Sequence, residues 1–337
     1  MSMQERMLFI IGTPRSGSTM LERMLESHSE IYGRPEPHLM TPLAHLGYWA
    51  NVDKAPFDHV LAAESTRQFV DDLPNTEADY YDACRAYADT LYGRMLEPTG
   101  KRYFLDKTPA YGLVVPFLAK LYPQAKFIVL TRHPLGIFSS FANSFFDGDY
   151  QLAQEYNPLL NRYVPVMAWF LREQPVPMIH VRYEDVTSEP EKKVREILDF
   201  LDLPFEEGCV EYGRKQPEVK GLGDPLGVKK HTRPVTTSIA KWAEELAYDQ
   251  TKLALMEDVI GQLDPEDLKT WGYPVDELWK PLHEADFKDI GPKKVRMNKY
   301  RLQRKLIVQS RVAIKGSFLE GLLRKVRLAC DVLLREY

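Results

Sequence analysis

The sequence feature that most constrains the fold of this 337-residue chain is an apolar run followed by a glycine-bounded loop and a helical pattern. Residues 7–11 are continuously apolar, residues 12–19 are rich in glycine and hydroxyl side chains, and apolar residues recur at helical spacing over 20–25. A strand that is apolar on both faces is typical of a parallel sheet covered by helices on both sides. The opening of the chain therefore predicts a strand, a tight loop and a helix.

Three further apolar runs repeat this strand-then-helix arrangement. They are residues 103–105, 127–130 and 178–181, and helical patterns follow at about 111–121, from 134, and over 187–201. Strands that alternate with helices predict an α/β fold of three layers with a central parallel sheet. Active sites in such folds lie at the carboxyl ends of the strands, so candidate residues are sought there.

The loop after the first strand has the composition of an anion site. Gly12 and Gly17 are separated by four residues, which is the glycine spacing of the Walker A loop. Such a turn points backbone N–H groups at one place, and the helix dipole adds positive charge. A nucleotide triphosphatase has lysine after the second glycine, whereas this chain has Ser18 there and its cation at Arg15. The loop predicts phosphate binding without ordinary ATP or GTP hydrolysis; the alternative is a plain turn that caps a helix.

A second candidate anion site follows the run 127–130. Arg132 comes at the end of the predicted strand, Pro134 suits the first turn of a helix, and Ser140 lies eight residues after Arg132. An arginine in this place can bind a phosphate through two N–H groups. Two separate anion sites indicate a ligand that carries phosphate at two places. The alternative for Arg132 alone is a surface ion pair.

Three segments taken together resemble the sulfotransferase family, whose members use 3′-phosphoadenosine 5′-phosphosulfate (PAPS). They are residues 13–19 (TPRSGST), 130–141 (LTRHPLGIFSSF) and 181–185 (VRYED), in the order that the family has. The resemblance implies a fold like that of the P-loop NTPases. It also implies that the nucleotide is held by Arg15, Ser16, Gly17, Ser18 and Thr19 at the 5′-phosphosulfate, Arg132 and Ser140 at the 3′-phosphate, Tyr183 at the adenine, and Lys230 in a later basic loop.

Sulfuryl transfer needs a cation at the leaving oxygen and a base for the acceptor's proton. Arg15 in the first loop is one candidate cation. Lys107 is the second, since residues 107–111 (KTPAY) resemble the carbohydrate sulfotransferases of heparan sulfate type; the alternative is a lysine that caps the end of a strand. Residues 33–38 are rich in proline and predict a loop. In it, Glu36 followed by His38 resembles the Glu-x-His of that branch, and tyrosylprotein sulfotransferases also have a catalytic glutamate in this region. Glu36 is the candidate base, with His38 orienting or assisting, and the alternative is an exposed loop carboxylate.

His231 is a further candidate to face the acceptor, although a solvated charged loop is an alternative for residues 229–233. A helix is expected to follow over 236–246. His133, beside Arg132, is expected to be a structural residue. The family requires no metal, and its nucleotide product is adenosine 3′,5′-bisphosphate (PAP).

Charge divides the chain into two parts. Residues 292–337 carry 13 Lys or Arg against 3 Asp or Glu, while the whole chain has a net charge of −4. We therefore predict a catalytic domain over 1–280 and a basic helical extension over 281–337, which contacts its own acidic body, a second subunit or an anionic surface. A sequence pI of about 6.1 argues against a general nucleic-acid binder. Three distant cysteines and no long apolar run predict a cytoplasmic protein without a transmembrane segment.

These features predict an enzyme that transfers sulfate from PAPS to a hydroxyl of a carbohydrate, a lipid or a secondary metabolite, including carrier-bound intermediates. Two alternatives remain open from the sequence. One is a P-loop kinase or related phosphotransferase, against which the missing Walker lysine counts. The other is a nucleotide-binding module without catalysis.

Overall fold

Five short strands form one parallel sheet at the centre of the molecule, in the order β2-β3-β1-β4-β5. The computed structural model describes residues 1–49, 59–214 and 232–284, together with 306–307, 309–310, 313–314 and 316–333. The strands are β1 (Met7–Gly12), β2 (Ile31–Pro35), β3 (Tyr103–Lys107), β4 (Lys126–Thr131) and β5 (Met178–Arg182).

Helices connect and flank the strands. In the described residues they are α1 (Met3–Arg6), α2 (Ser18–Glu26), α3 (Met40–Ala44), α4 (His59–Asp71), α5 (Glu77–Leu96), α6 (Val115–Leu121), α7 (Pro134–Phe145), α8 (Tyr150–Tyr156), α9 (Leu159–Glu173), α10 (Tyr183–Ser188), α11 (Pro190–Phe200), α12 (Lys241–Ala247), α13 (Gln250–Gly261), α14 (Pro265–Thr270), α15 (Val275–Leu278), α16 (Lys280–Glu284) and α17 (Phe318–Leu333).

The sheet separates two hydrophobic clusters. Alternate residues of β1 point to opposite faces, and all of its side chains are buried. Leu8 and Ile10 pack with α2 and α11 on one face, while Phe9 and Ile11 pack with α5, α6 and α9 on the other. This arrangement confirms the predicted α/β fold with three layers around a parallel sheet.

Two local predictions differ from the structure. Residues 33–38 were expected to form a loop, but β2 extends to Pro35, because the main chain from Ile31 pairs with β3 along the edge of the sheet. Edge strands tolerate proline, since its missing N–H faces away from the ladder. The helix expected over 236–246 is a 3₁₀ turn (Thr236–Ser238) followed by α12.

The strand register brings the predicted site residues to one edge of the sheet. Pro35 lies opposite Lys107 at the ends of β2 and β3, and Gly12 lies opposite Leu130 near the ends of β1 and β4. Because the strands are parallel, the segments after β1, β2, β3 and β4 all leave the sheet at its carboxyl edge.

Helix α17 exposes a stripe of apolar side chains at helical spacing. Leu319, Leu322, Leu323 and Val326 are each between 45 and 52 % exposed. A domain boundary at about residue 280 stays a prediction. Within the part of the chain that the structure describes, no helix is both long and apolar enough to span a membrane.

Candidate functional site

The loop between β1 and α2 is built to present backbone N–H groups. Arg15 and Gly17 both have positive φ angles, 71° and 93°, and the turn is closed by a bond from the Ser16 N–H to the Thr13 carbonyl. Gly17 is the N-cap of α2, where no side chain caps the first turn. Those N–H groups are therefore left for an anion, which the helix dipole also favours.

Gly17 is required here by a neighbouring ring as well as by its backbone angle. A Cβ at this position would lie 2.4 Å from Cδ2 of Tyr183, so the aromatic ring rests directly on the loop. Thr13 Oγ1 and Ser16 Oγ are buried and have no hydrogen-bond partner among the described residues. Buried hydroxyls without partners are uncommon, and they fit a loop that closes around a polar ligand.

Arg15 spans the cavity from the loop to α7. Its Nε donates a hydrogen bond of 3.1 Å to Ser140 Oγ, and its guanidinium lies 5.9 Å from the centre of the Phe145 ring. The predicted cation of the first motif and the predicted serine of the second are therefore in direct contact. This contact joins the two motifs into one site.

Arg132 is almost fully buried beneath the same loop. Its Nη1 donates to the Arg15 carbonyl and its Nη2 to the Ser238 carbonyl, both at 3.0 Å. The guanidinium carbon stacks 4.3 Å from the centre of the Tyr183 ring, while Nε has no partner among the described residues. Burial lowers the pKa of Arg132 from its usual value. A buried cation with unused N–H groups favours an anionic ligand beside it.

Glu36 and His38 lie on the opposite wall of the cavity. Both residues have φ angles in the left-handed region, 41° and 55°, which is uncommon for side chains other than glycine and asparagine. Glu36 is 16 % exposed at its side chain, and its Oε2 lies 3.6 Å from His38 Nε2. Strained backbone of this kind is concentrated at functional sites.

Lys107 lies behind this wall and does not line the cavity. It is fully buried, and its Nζ donates to Glu36 Oε1 at 2.9 Å and to Thr19 Oγ1 at 3.3 Å. Its ammonium also lies 3.3 Å from Oε2 of Glu22, a buried carboxyl on α2. Lys107 thus reaches the cavity through Glu36 and Thr19, both of which line it.

The residue before Lys107 anchors this part of the site. Asp106 is fully buried and accepts hydrogen bonds from the hydroxyls of Tyr92, Tyr111 and Thr108. Burial nevertheless raises the pKa of Asp106 to about 6. Because three donors from α5 and from the turn after β3 converge on it, the end of β3 is held rigidly.

One cavity of about 740 Å³ joins these groups. Among the predicted site residues, those that line it are Arg15, Gly17, Ser18, Thr19, Glu36, His38, Arg132, Ser140 and Tyr183. Ser16 and Lys107 are buried behind the walls. Lys230 and His231 lie outside the described residues.

Several residues that line the cavity were not singled out individually from the sequence. Ser238, Lys241 and Trp242 come from the segment before and within α12, and Asn143 and Tyr163 come from α7 and α9. Trp242 is buried and stacks on His133, with ring centroids 4.4 Å apart and planes at 19°. A lysine and a tryptophan near the start of a helix were a signal for α12, whereas the packing of α7 and α9 decides which of their side chains reach the site.

His133 supports the site from the far side. Its Nε2 donates to the Leu278 carbonyl at 3.0 Å, and its backbone N–H donates to Glu184 at 3.1 Å. Burial lowers the pKa of His133 to about 3, so this imidazole is neutral at physiological pH. It is a structural residue, as its position beside Arg132 led us to expect. In the described ranges, no group of three His, Cys, Asp or Glu side chains is placed to hold a metal ion.

One protein family and several known proteins are similar to this chain in sequence. The family model described as "Sulfotransferase family" matches residues 8–207, more than half of the chain. The nodulation protein NoeE of Sinorhizobium fredii is 37 % identical over 133 residues, which are 39 % of this chain and 30 % of that protein. Protein-tyrosine sulfotransferase 1 of Danio rerio is 24 % identical over 270 residues, covering 76 % of this chain and 71 % of the relative.

A solved sulfotransferase domain from the curacin biosynthetic pathway has a similar fold. The TM-score is 0.50 at 23 % identity, over 79 % of this chain and 95 % of that domain. The chain spans only about a third of the length of NoeE and of an uncharacterized protein from Aquifex aeolicus, at 30 and 34 %. The matched residues include both loops, the strand ends and Tyr183. The chain therefore belongs to the sulfotransferase family.

Proposed function

We propose that this chain transfers the sulfuryl group of PAPS to a hydroxyl of a carbohydrate, lipid or secondary-metabolite acceptor, some of them carrier-bound. The observation that carries the proposal is that Arg15, Arg132 and Glu36 line one cavity. Two cations are suited to a donor with phosphates at two places, and a carboxylate on the opposite wall is suited to an acceptor's proton.

The donor half of the cavity fits a nucleotide with two anionic groups. The uncapped start of α2 with Ser18 and Thr19, together with Arg15, provides for the 5′-phosphosulfate. Arg132, with its unused Nε, and Ser140 provide for the 3′-phosphate, as the family resemblance implies. Tyr183 stacks on Arg132 at the edge of the same space, where an adenine ring can bind.

The acceptor half supplies a base. We assign to Glu36 the removal of the proton from the acceptor hydroxyl, whose oxygen forms the new bond to sulfur as the bond from sulfur to the bridging oxygen breaks. The bridging oxygen stays on the 5′-phosphate of PAP with the electron pair. Arg15, which lines the cavity, stabilises the charge that develops there, because a cation already in place needs no reorganisation during the reaction. Lys107 adds its positive charge from behind Glu36 and Thr19. His38, 3.6 Å from Glu36, orients the acceptor or this carboxylate.

Sequence resemblance and the cavity lining support the proposed class of acceptor. The 107–111 segment and the Glu36 to His38 spacing resemble the carbohydrate branch, while curated relatives include protein-tyrosine sulfotransferases. The cavity lining also includes Met20, Pro109, Ala110 and Tyr163, which give it apolar surface beside its polar groups. Such a surface suits an aliphatic or ring-bearing alcohol.

The test is a transfer assay with sulfur-labelled PAPS and a panel of carbohydrate, lipid and carrier-bound alcohols. Once an acceptor is found, Glu36→Gln should lower kcat at least about 100-fold and leave PAP affinity within about 2-fold, since general-base removal typically costs 10²–10⁴ in rate. Glu26→Gln, on α2 but outside the cavity lining, is the matched control. Full turnover by the Glu36→Gln protein would refute the assignment of the base.

A further inference from the structure

Glu22 is a buried carboxyl next to the site that the proposed reaction does not use. It lies on α2 and is only 1 % exposed. Its Oε2 is 3.3 Å from Lys107 Nζ, whereas its Oε1 is buried without a hydrogen-bond partner among the described residues. A carboxyl in such a place costs folding free energy, and a buried titratable group beside a cavity is a candidate for a functional role.

The surroundings of Lys107 suggest that role. An ammonium has three N–H donors, and Lys107 has three acceptors: Glu36 Oε1 at 2.9 Å, Thr19 Oγ1 at 3.3 Å and Glu22 Oε2 at 3.3 Å. Thr19 and Glu22 are three residues apart on α2 and so project from the same side of the helix. Two of the three acceptors therefore come from one rigid element, the helix that also carries the loop for the donor.

We propose that Glu22 is a positioning residue that holds the Lys107 ammonium in place as a neutral hydrogen-bond acceptor throughout the reaction. This inference rests on the proposed function. When Glu36 takes the acceptor's proton it becomes neutral and its hold on Lys107 weakens. Thr19 and Glu22 then keep Nζ at the same place, so that its positive charge stays behind Glu36 and Thr19 while charge develops on the leaving oxygen.

The charges around Glu22 agree with a neutral state. The charged groups that act on it are Lys107 and Asp106 from β3 and Glu26 from its own helix, while Glu36, which directly follows β2, pairs with the same Lys107 ammonium. Strand β1 carries no titratable side chain, and on the turn Glu207–Cys209, which also packs on α2, Glu207 is exposed and Cys209 lies in the apolar cluster.

Burial raises the pKa of Glu22 to about 8, against the lowering effect of Lys107. A protonated carboxyl at pH 7 still leaves Oε2 able to accept from Lys107. Above that pKa the ionised carboxylate adds a negative charge beside an anion-binding cavity. Binding of PAP should weaken there, because the ionised form opposes an anionic ligand.

The experiment compares Glu22→Gln, Glu22→Ala and the control Glu26→Gln in the full chain. PAP affinity is measured by calorimetry between pH 7 and 9, alongside kcat and the melting temperature. Glutamine keeps the oxygen acceptor and cannot ionise. Glu22→Gln should hold kcat at pH 7 within about 3-fold of wild type, whereas Glu22→Ala should lower it at least about 10-fold. From pH 7 to 9 PAP binding should weaken by up to about 10-fold in the wild type and in Glu26→Gln, but not in Glu22→Gln.

Three outcomes would overturn the inference. Equal losses in Glu22→Gln and Glu22→Ala would overturn the neutral-acceptor role. Wild-type kcat in Glu22→Ala, or an alkaline weakening that persists in Glu22→Gln, would overturn the inference as well. If Glu22→Ala does not fold, the Glu22→Gln pH series decides alone. If the wild type transfers sulfate to none of the acceptors, the proposed function itself fails; if the wild type turns over and Glu36→Gln loses turnover while Glu22→Ala does not, only this inference fails.

Discussion

Gly17 is the residue at which the donor loop and the strand-end tyrosine meet. Its φ of 93° disfavours any side chain, and a Cβ would lie 2.4 Å from the Tyr183 ring. The two effects can be separated with Gly100, whose φ of 66° is also positive but where a Cβ would meet nothing within 4 Å.

Substitution Gly17→Ala should therefore reduce both stability and nucleotide binding. We expect Gly100→Ala to cost about 1 kcal/mol from backbone strain alone, and Gly17→Ala about 1–3 kcal/mol more because Tyr183 must move. PAP affinity should fall at least about 10-fold in Gly17→Ala and stay unchanged in Gly100→Ala. Urea unfolding and calorimetry measure the two quantities; equal effects of both substitutions would show that the ring contact is unimportant.

The buried imidazole of His133 makes folding stability depend on pH in a specific direction. Its pKa is lowered by burial to about 3, so below pH 6.5 the unfolded chain binds a proton that the folded chain does not. The folded state therefore loses stability as pH falls from about 6.5 towards 3, by up to about 1.4 kcal/mol per pH unit.

Substitution His133→Asn removes this proton linkage. At pH 7.5 the variant should be the less stable protein, because it loses the stacking on Trp242. Between pH 6.5 and 4.5 the wild type should lose its advantage, and urea unfolding at several pH values would show the gap closing. A gap that stays constant with pH would contradict a neutral, buried His133.

At the scale of elements, α12 forms part of the cavity wall and packs against α7. Trp242 on α12 is 2 % exposed, lines the cavity and packs against His133, while α12 also contacts α7, α13 and α16. Through Trp242, the helix contacts His133, which directly follows Arg132 in the sequence.

Substitution Trp242→Ala should destabilise the fold by about 3–5 kcal/mol, the usual cost of removing a buried tryptophan. Its loss should also weaken PAP binding, because the side chain lines the site. Trp169 on α9 is 38 % exposed, and Trp169→Ala should cost much less. Melting temperatures and PAP affinities of the two variants provide the measurement, and comparable losses in both would contradict the account of α12.

Strand positions could be predicted where each strand is a continuous apolar run, as in β1 and β4. The edge strand β2 was missed, because only Ile31 and Tyr32 are apolar and its remaining residues, Gly33 to Pro35, are typical of loops. Main-chain pairing with β3 makes it a strand, and that information lies in the tertiary structure.

Site residues at strand ends could be predicted from the sequence, whereas a buried charge on a helix could not. Arg15, Arg132 and Tyr183 follow strand ends, where the topology itself directs a search. Glu22 was missed because a glutamate on a helix is ordinarily expected to face solvent. Only the close approach of β3 to α2 shows that its carboxyl is buried against Lys107.

At the scale of the whole molecule, we predict that the basic extension over 281–337 is separate from a catalytic domain over 1–280. The apolar stripe of α17, defined by Leu319, Leu322, Leu323 and Val326, is about half exposed. Side chains that bury so little apolar surface add little to folding free energy.

A chain shortened to residues 1–284 should fold and bind PAP as the full chain does. We expect the melting temperature to change by no more than a few degrees and PAP affinity to stay within about 2-fold. Thermal unfolding and calorimetry on both proteins make the comparison. Aggregation of the shortened chain, or loss of its PAP binding, would show that the extension belongs to the catalytic domain.

The central claim, that the cavity binds the nucleotide of PAPS, is tested most directly by thermal unfolding with PAP and, separately, with ATP and magnesium. A ligand at 100 times its dissociation constant stabilises the folded state by about 2.7 kcal/mol, a shift that is easily measured. We expect PAP to raise the melting temperature and ATP with magnesium to leave it nearly unchanged, because the loop has Ser18 where a Walker loop has lysine. A shift with ATP and magnesium alone would contradict the account and favour a phosphotransferase.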